Sequence, residues 1–310
     1  MPTRDAADLR QTLRGVVVPV VTPFDDGGGL DEPAFARHVD WLVEQGVHGI
    51  LVADLVGEAW ALTLEEKATL FRAAARAVGG RVPVVAKLSE AALRSQATLA
   101  EAARDAGVDA VKAALPGWPR AADDEVHVYL ASAVGASGLP FMIETNGWDV
   151  STPVLDRLVT DPLFAGLEEA SLDLDRFALL VERYGERGPV FCGSEDVLAH
   201  HLALGGAGLM TAAPNFAPAL MLGIWEAAVD GRHADVLERC SRLRRYRRLL
   251  AAELRAGRPA FASYAKAGLD LIGRPVGSPR TPLRSLTGAE REALAAVLFD
   301  PGGLTLLPGA

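Results

Sequence analysis

Apolar, β-branched runs of strand length recur along the chain at 16–21, 49–53, 82–88, 110–115, 140–145, 165–168, 189–192 and 208–212. Between them the apolar spacing switches to a helical period. Phe35, Val39 and Leu42 form one such stripe, and Leu64, Phe71 and Val78 another. Thr63 followed by Glu66 is the signature of a capping box, which starts the second helix. Further helices are predicted over 91–106, 124–134, 153–159, 174–184 and 197–204. Eight strands alternating with helices, with no polar linker between them, predict an α/β fold of the closed (β/α)8 TIM barrel type. A doubly wound sheet is the alternative, but the Gly-rich turn it often uses after its first strand is absent. From about 217 the strands stop and helical patterns remain at 219–229, 234–256, 259–272 and 287–298. Residues 1–216 therefore read as the barrel, and 217–310 as a C-terminal helical extension packed on it.

Composition narrows the class. The 310 residues are 50% hydrophobic and 23% charged, enough to bury a large core and too apolar for a disordered chain. A net charge of −9, with no visible basic face, argues against nucleic acid as a partner. The apolar runs stop short of the roughly 18–20 residues that a membrane span needs. The first residues lack the apolar centre of a signal peptide. Cys192 and Cys240 alone make no disulfide framework. The expectation is a soluble, cytoplasmic protein that acts on a small molecule. Among its basic residues only Lys67, Lys87, Lys112 and Lys266 are lysines, and Lys87 and Lys112 fall inside strand-like runs. Lys67 is expected on an exposed helix, and the arginine-rich stretch 242–248, with Tyr246, on a solvated helix face.

Several stretches resemble the dihydrodipicolinate synthase / N-acetylneuraminate lyase superfamily. The first strand and loop are similar in Val17-Val-Pro-Val-Val-Thr-Pro-Phe24, and the next in Gly57-Glu58 followed by Leu62-Thr-Leu-Glu-Glu-Lys67. Ala106-Gly-Val-Asp-Ala-Val111, Gly166-Leu-Glu-Glu-Ala-Ser171, Gly193-Ser-Glu-Asp196 and Ala213-Pro-Asn-Phe-Ala-Pro218 follow in the family's order and spacing. The resemblance implies a barrel with C-terminal helices, a homo-oligomer (dimer or tetramer), and a lysine that forms a Schiff base with a 2-oxo acid. At the positions that carry this chemistry the sequence differs. Glu168 stands at the Schiff-base lysine and Glu144 at the tyrosine proton relay. Leu55 and Val56, preceded by Asp54, stand at the threonines that grip the substrate carboxylate. Gly117-Trp118 replaces a tyrosine pair, and 147–150 holds no arginine.

A carboxylate cannot form an imine, so Glu168 cannot replace the lysine. Two glutamates facing one cavity need a counter-charge, because an uncompensated buried charge is costly. Lys112, and with it Lys87, is the expected source, either as a structural ion pair or as a group that meets substrate. The leading expectation is a lyase-like enzyme acting on a small oxo-acid or carbonyl compound by retro-aldol, dehydration or related enolisation chemistry. Glu144 and Glu168 would transfer protons and Lys112 would bind or polarise. Lys87, Asp54, Leu55, Val56, Trp118, Gly193 and Met210 would surround the substrate. Alternatives are a Schiff-base aldolase with its lysine moved to Lys112, and a non-catalytic binding barrel. No cofactor is expected, although Asp54, Glu144 and Glu168 are hard oxygen ligands of a kind that holds Mg²⁺ or Mn²⁺.

Among the remaining residues, Glu58 and Glu169 are expected to point outward or brace loops, and Pro19 to wall the pocket. Trp60, Trp118 and Trp148 fall in loops at the site face and hint at a flatter, more apolar substrate than pyruvate. His200 and His201 read as surface or packing, Cys192 as an unactivated thiol on the seventh strand, and Ser194 as lacking a triad.

Overall fold

A computed structural model describes residues 4–88, 90–116, 121–255, 261–300 and 303–304. Eight parallel strands close into a barrel in sequence order. They are β1 Gly15–Pro19, β2 Gly49–Val52, β3 Val84–Leu88, β4 Ala110–Ala113, β5 Phe141–Thr145, β6 Phe164–Glu169, β7 Val190–Cys192 and β8 Gly208–Met210. The helices between them are α2 Glu32–Glu44, α3 Leu64–Val78, α4 Leu93–Ala106, α5 Asp123–Gly135, α6 Thr152–Leu158, α7 Leu174–Tyr184 and α8 Leu198–Ala203, after an α1 at Ala6–Thr12. Beyond the barrel come α9 Pro218–Val229, α10 His233–Arg255, α11 Phe261–Leu271 and α12 Gly288–Phe299. Among the described residues, no helix is long and apolar enough to cross a membrane.

The expected capping box is present at Thr63 and Glu66, and the Phe35–Val39–Leu42 stripe is buried against the barrel. Several strands end one or two residues before the apolar runs do, as at Met210 rather than 212 and Ala113 rather than 115. Residues past those points have left the ladder and form the loops of the site face. Closure depends on glycine where β8 meets β1. A Cβ on Gly208, at φ +148°, would stand 2.0 Å from the Gly15 carbonyl oxygen.

Helix α1 has no counterpart in the expected pattern. Asp5 caps it by accepting from the Asp8 N–H at 2.8 Å. Its Leu9, with Leu13, joins Val17, Leu51, Val85 and Phe191 in an inner cluster that fills the barrel below the site.

Two surface expectations are corrected. Lys67 is buried, and its ammonium is paired with Glu90. Along α10, Tyr246 is fully buried and Arg247 turns inward toward the barrel mouth, so stretch 242–248 is only partly a solvated face. Both residues are long enough to bury one end while the helix surface around them stays wet.

Candidate active site

The carboxyl ends of β2 to β6 converge on one cluster of charge. Lys87 and Lys112 are neighbours in register on β3 and β4, and Glu144 and Glu168 are neighbours on β5 and β6. Asp54 follows β2 through Ala53, whose left-handed backbone (φ 58°) is rare for a residue with a side chain. Lys112 is fully buried. Its ammonium donates to Asp54 Oδ2 at 2.7 Å, lies 2.8 Å from Glu144 Oε2, and donates to Glu168 Oε2. Three carboxylates around an ammonium with three N–H donors leave it no donor to spare. Lys87 pairs with Glu144 and lies 4.0 Å from Asp54.

Burial works against every charge here, and the neighbours decide the outcome. For Glu168 desolvation prevails, helped by the charges of Glu144 and Asp54 against the pull of Lys112, and its pKa is pushed up to about 7. Burial would also raise Glu144 and Asp54, but Lys112 and Lys87 outweigh it and hold both below the ordinary carboxylate range. Lys112 is desolvated too, yet Asp54, Glu144 and Glu168 together raise it well above an ordinary lysine.

Asp54, Glu144 and Glu168 line the floor of a cavity of about 420 Å³, with Pro19 and Met210 beside them. Leu55 and Val56 form part of its wall, as does Gly193. A Cβ at Gly193 would meet Glu168 Oε1 at 2.7 Å, so glycine there leaves room for the acid. Lys112 is fully buried beneath these acids, and neither Lys112 nor Lys87 is among the residues that line the cavity. Trp118 lies outside the described residues. The other two tryptophans are corrected: Trp60 and Trp148, 45% and 58% exposed, do not line the cavity. Trp148 packs instead on the Arg176 guanidinium, 4.4 Å from the ring centre. The apolar wall comes from Leu55, Val56, Leu172 and Phe261.

Glu169 braces the loops as expected, accepting N–H groups from Gly147 at 2.9 Å and Ser171 at 2.7 Å. Glu58 does not point outward. It is buried against Lys266 at 2.6 Å and accepts the Arg280 N–H at 2.8 Å, tying the loop after β2 to the C-terminal region. Cys192 belongs to the layer between barrel and helices, and burial pushes its thiol up, away from thiolate character. His201 is packing, stacked on Phe177 at 3.6 Å. Ser194 lines the cavity, but no described histidine does.

Sequence reasoning missed several lining groups, Thr211, Arg247 and Phe261 among them. Thr211 is buried just beyond β8, and its hydroxyl has no hydrogen-bond partner. Its place after Met210 was the available signal. Arg247 and Phe261 come from α10 and α11, and no local pattern announces that these helices reach the barrel mouth. Arg247 lies 3.3 Å from Glu195 and donates to Asp196 Oδ1 at 3.0 Å.

The three floor carboxylates each offer an oxygen within 4.8 Å of the others, spacing that suits a cation. The Lys112 ammonium already sits among them.

Comparison with known proteins agrees with this architecture. A 4-hydroxy-tetrahydrodipicolinate synthase of Thiobacillus denitrificans is 31% identical over 291 residues, covering 93% of this chain and 96% of that one. An uncharacterized DapA-like lyase of Halobacterium salinarum is 34% identical over 294 residues, 94% of each chain. The crystal structure of dihydrodipicolinate synthase from Bacillus clausii superposes with a TM-score of 0.87 at 23% identity, covering 94% of this chain and 98% of that one; it shares the fold. The profile of the Dihydrodipicolinate synthetase family matches residues 12–300, and the chain belongs to that family.

Proposed function

We propose that this protein is a lyase that acts on a small carbonyl compound by acid–base chemistry, without a Schiff base. The observation that carries this is the opposite displacement of two carboxyl groups that share one cavity floor. Glu168, near 7, carries a proton in much of the population at neutral pH and serves as the general acid toward the carbonyl or a leaving oxygen. Glu144, kept ionised by Lys112 and Lys87, serves as the base that takes the proton next to the carbonyl. Lys112 positions both acids. A relocated imine at Lys112 is disfavoured, since an ammonium ringed by three carboxylates stays protonated and is no nucleophile. The two lysines supply the positive charge that a divalent ion would bring, so the chemistry needs no metal, and chelation by EDTA should leave activity unchanged.

The test is α-proton exchange into D₂O, followed by NMR on a panel of small carbonyl compounds. Glu168→Gln and Glu144→Gln should each lower the exchange rate by about 10²–10⁴-fold, the span typical of a lost general acid or base. For the wild type, exchange should decline as pH rises through about 7, because Glu168 then loses the proton it donates. A rate that climbs instead would reverse the two roles. A borohydride-trapped adduct on Lys112 would replace the mechanism by the imine route. A variant that becomes more stable, with no exchange in either form, would favour a binding barrel. Light scattering checks the homo-oligomer that family membership suggests.

A further inference from the structure

The charge around the cavity limits what can enter it. Five carboxylates, those of Asp54, Glu144, Glu168, Glu195 and Asp196, line it. The described cations beside them are three: Lys87, Lys112 and Arg247. The surplus stays negative even when Glu168 holds its proton. All three cations are engaged, Arg247 by both Glu195 and Asp196 at the mouth. The turn after β2 brings no cation. Leu55 and Val56 have apolar side chains, and the Leu55 N–H is spent on Asp54 Oδ1 at 2.6 Å. A carboxylate entering here would be desolvated beside like charges with no free described cation to meet it. Thr211, by contrast, lines the cavity, and its buried hydroxyl has no hydrogen-bond partner. Leaving such a group unpaired is costly, so a polar ligand atom that reaches it gains a hydrogen bond.

We infer that the substrate is a carbonyl compound without net negative charge, bearing hydroxyl or amino donors, and that the Thr211 hydroxyl contacts it. This rests on the acid–base reading of the same site and departs from the 2-oxo acids that resemblance alone implies. Ligand-observed NMR titration of the full-length protein with pyruvate, glyceraldehyde and aminoacetone tests it. At least one of the two non-anionic probes should bind tenfold or more tighter than pyruvate. Which of them wins separates hydroxyl from amino recognition. Pyruvate binding as tightly as either, or no binding by both non-anionic probes, overturns the inference. Asp196→Asn removes one negative charge and one of the two acids that hold Arg247, so pyruvate should bind at least threefold tighter; unchanged affinity counts against the charge argument. Thr211→Val should weaken the preferred probe about fivefold while Thr211→Ser retains it, and equal affinities in both remove Thr211 from the contact. Glu168→Gln keeps the two claims apart. Probe selectivity retained with exchange lost supports both; surviving exchange sinks only the proton-transfer roles.

Discussion

Lys112 explains why so many acids can share one small volume. Its ammonium meets three carboxylates, and removing one partner of a buried charge cluster costs about 3–5 kcal/mol because the others are left uncompensated. Lys112→Met should therefore lose about that much stability at pH 8, and regain part of it at pH 5 as the released carboxylates take up protons. Denaturant melts at the two pH values check this; equal losses at both would show that the cluster is not held by charge. Glu168 has the opposite linkage in the wild type. Its native pKa lies above its ordinary value of 4.5, so the native state binds this proton more tightly. The contribution of Glu168 to stability is greatest below 4.5 and falls as pH rises through about 7. Glu168→Gln should flatten that part of the stability profile. Two acids on successive strands, and lysines kept where the chain otherwise uses arginine, made these residues visible in the sequence. Their three-to-one geometry was not visible, because it depends on the register of β3 against β4 and of β5 against β6.

At the scale of elements, the strand and helix alternation was legible almost throughout, because burial on both faces of a parallel barrel writes continuous apolar runs. What escaped were elements whose role is defined by what they cover. Helix α1 is seven residues long and places Leu9 into the inner cluster. Leu9→Ala should cost about 2–5 kcal/mol by leaving a cavity under the barrel, measurable as a lowered midpoint of chemical unfolding. After β7, Gly193 shows the reverse constraint. A methyl group there collides with Glu168 and, at 2.9 Å, with the Ala170 backbone. Gly193→Ala should cost about 1–3 kcal/mol through overpacking, and should lower proton exchange more than its loss of stability accounts for. If exchange is untouched while the fold loosens, Glu168 has room that the structure denies it.

At the scale of the whole molecule, the helices beyond the barrel complete both core and site. Leu220, Met221 and Ile224 of α9 are buried, Arg247 and Phe261 border the cavity, and Glu58 locks the loop after β2 to Lys266 and Arg280. A chain cut after residue 216 would bare this apolar surface. It should fail to yield a cooperative thermal transition, and a truncated chain that melts sharply would mark residues 1–216 as self-sufficient.

Local periodicity and residue type determined the barrel and the family likeness, and brought Glu144, Glu168, Lys87 and Lys112 into view, because spacing and identity are properties of the chain alone. Only the tertiary structure decided that Lys112 is fully buried beneath the acids, that Lys67 is buried, that the tryptophans at Trp60 and Trp148 stand outside, and that Arg247 and Thr211 stand inside. Each of those depends on the distance between groups far apart in sequence, and that distance is settled by barrel closure and helix packing.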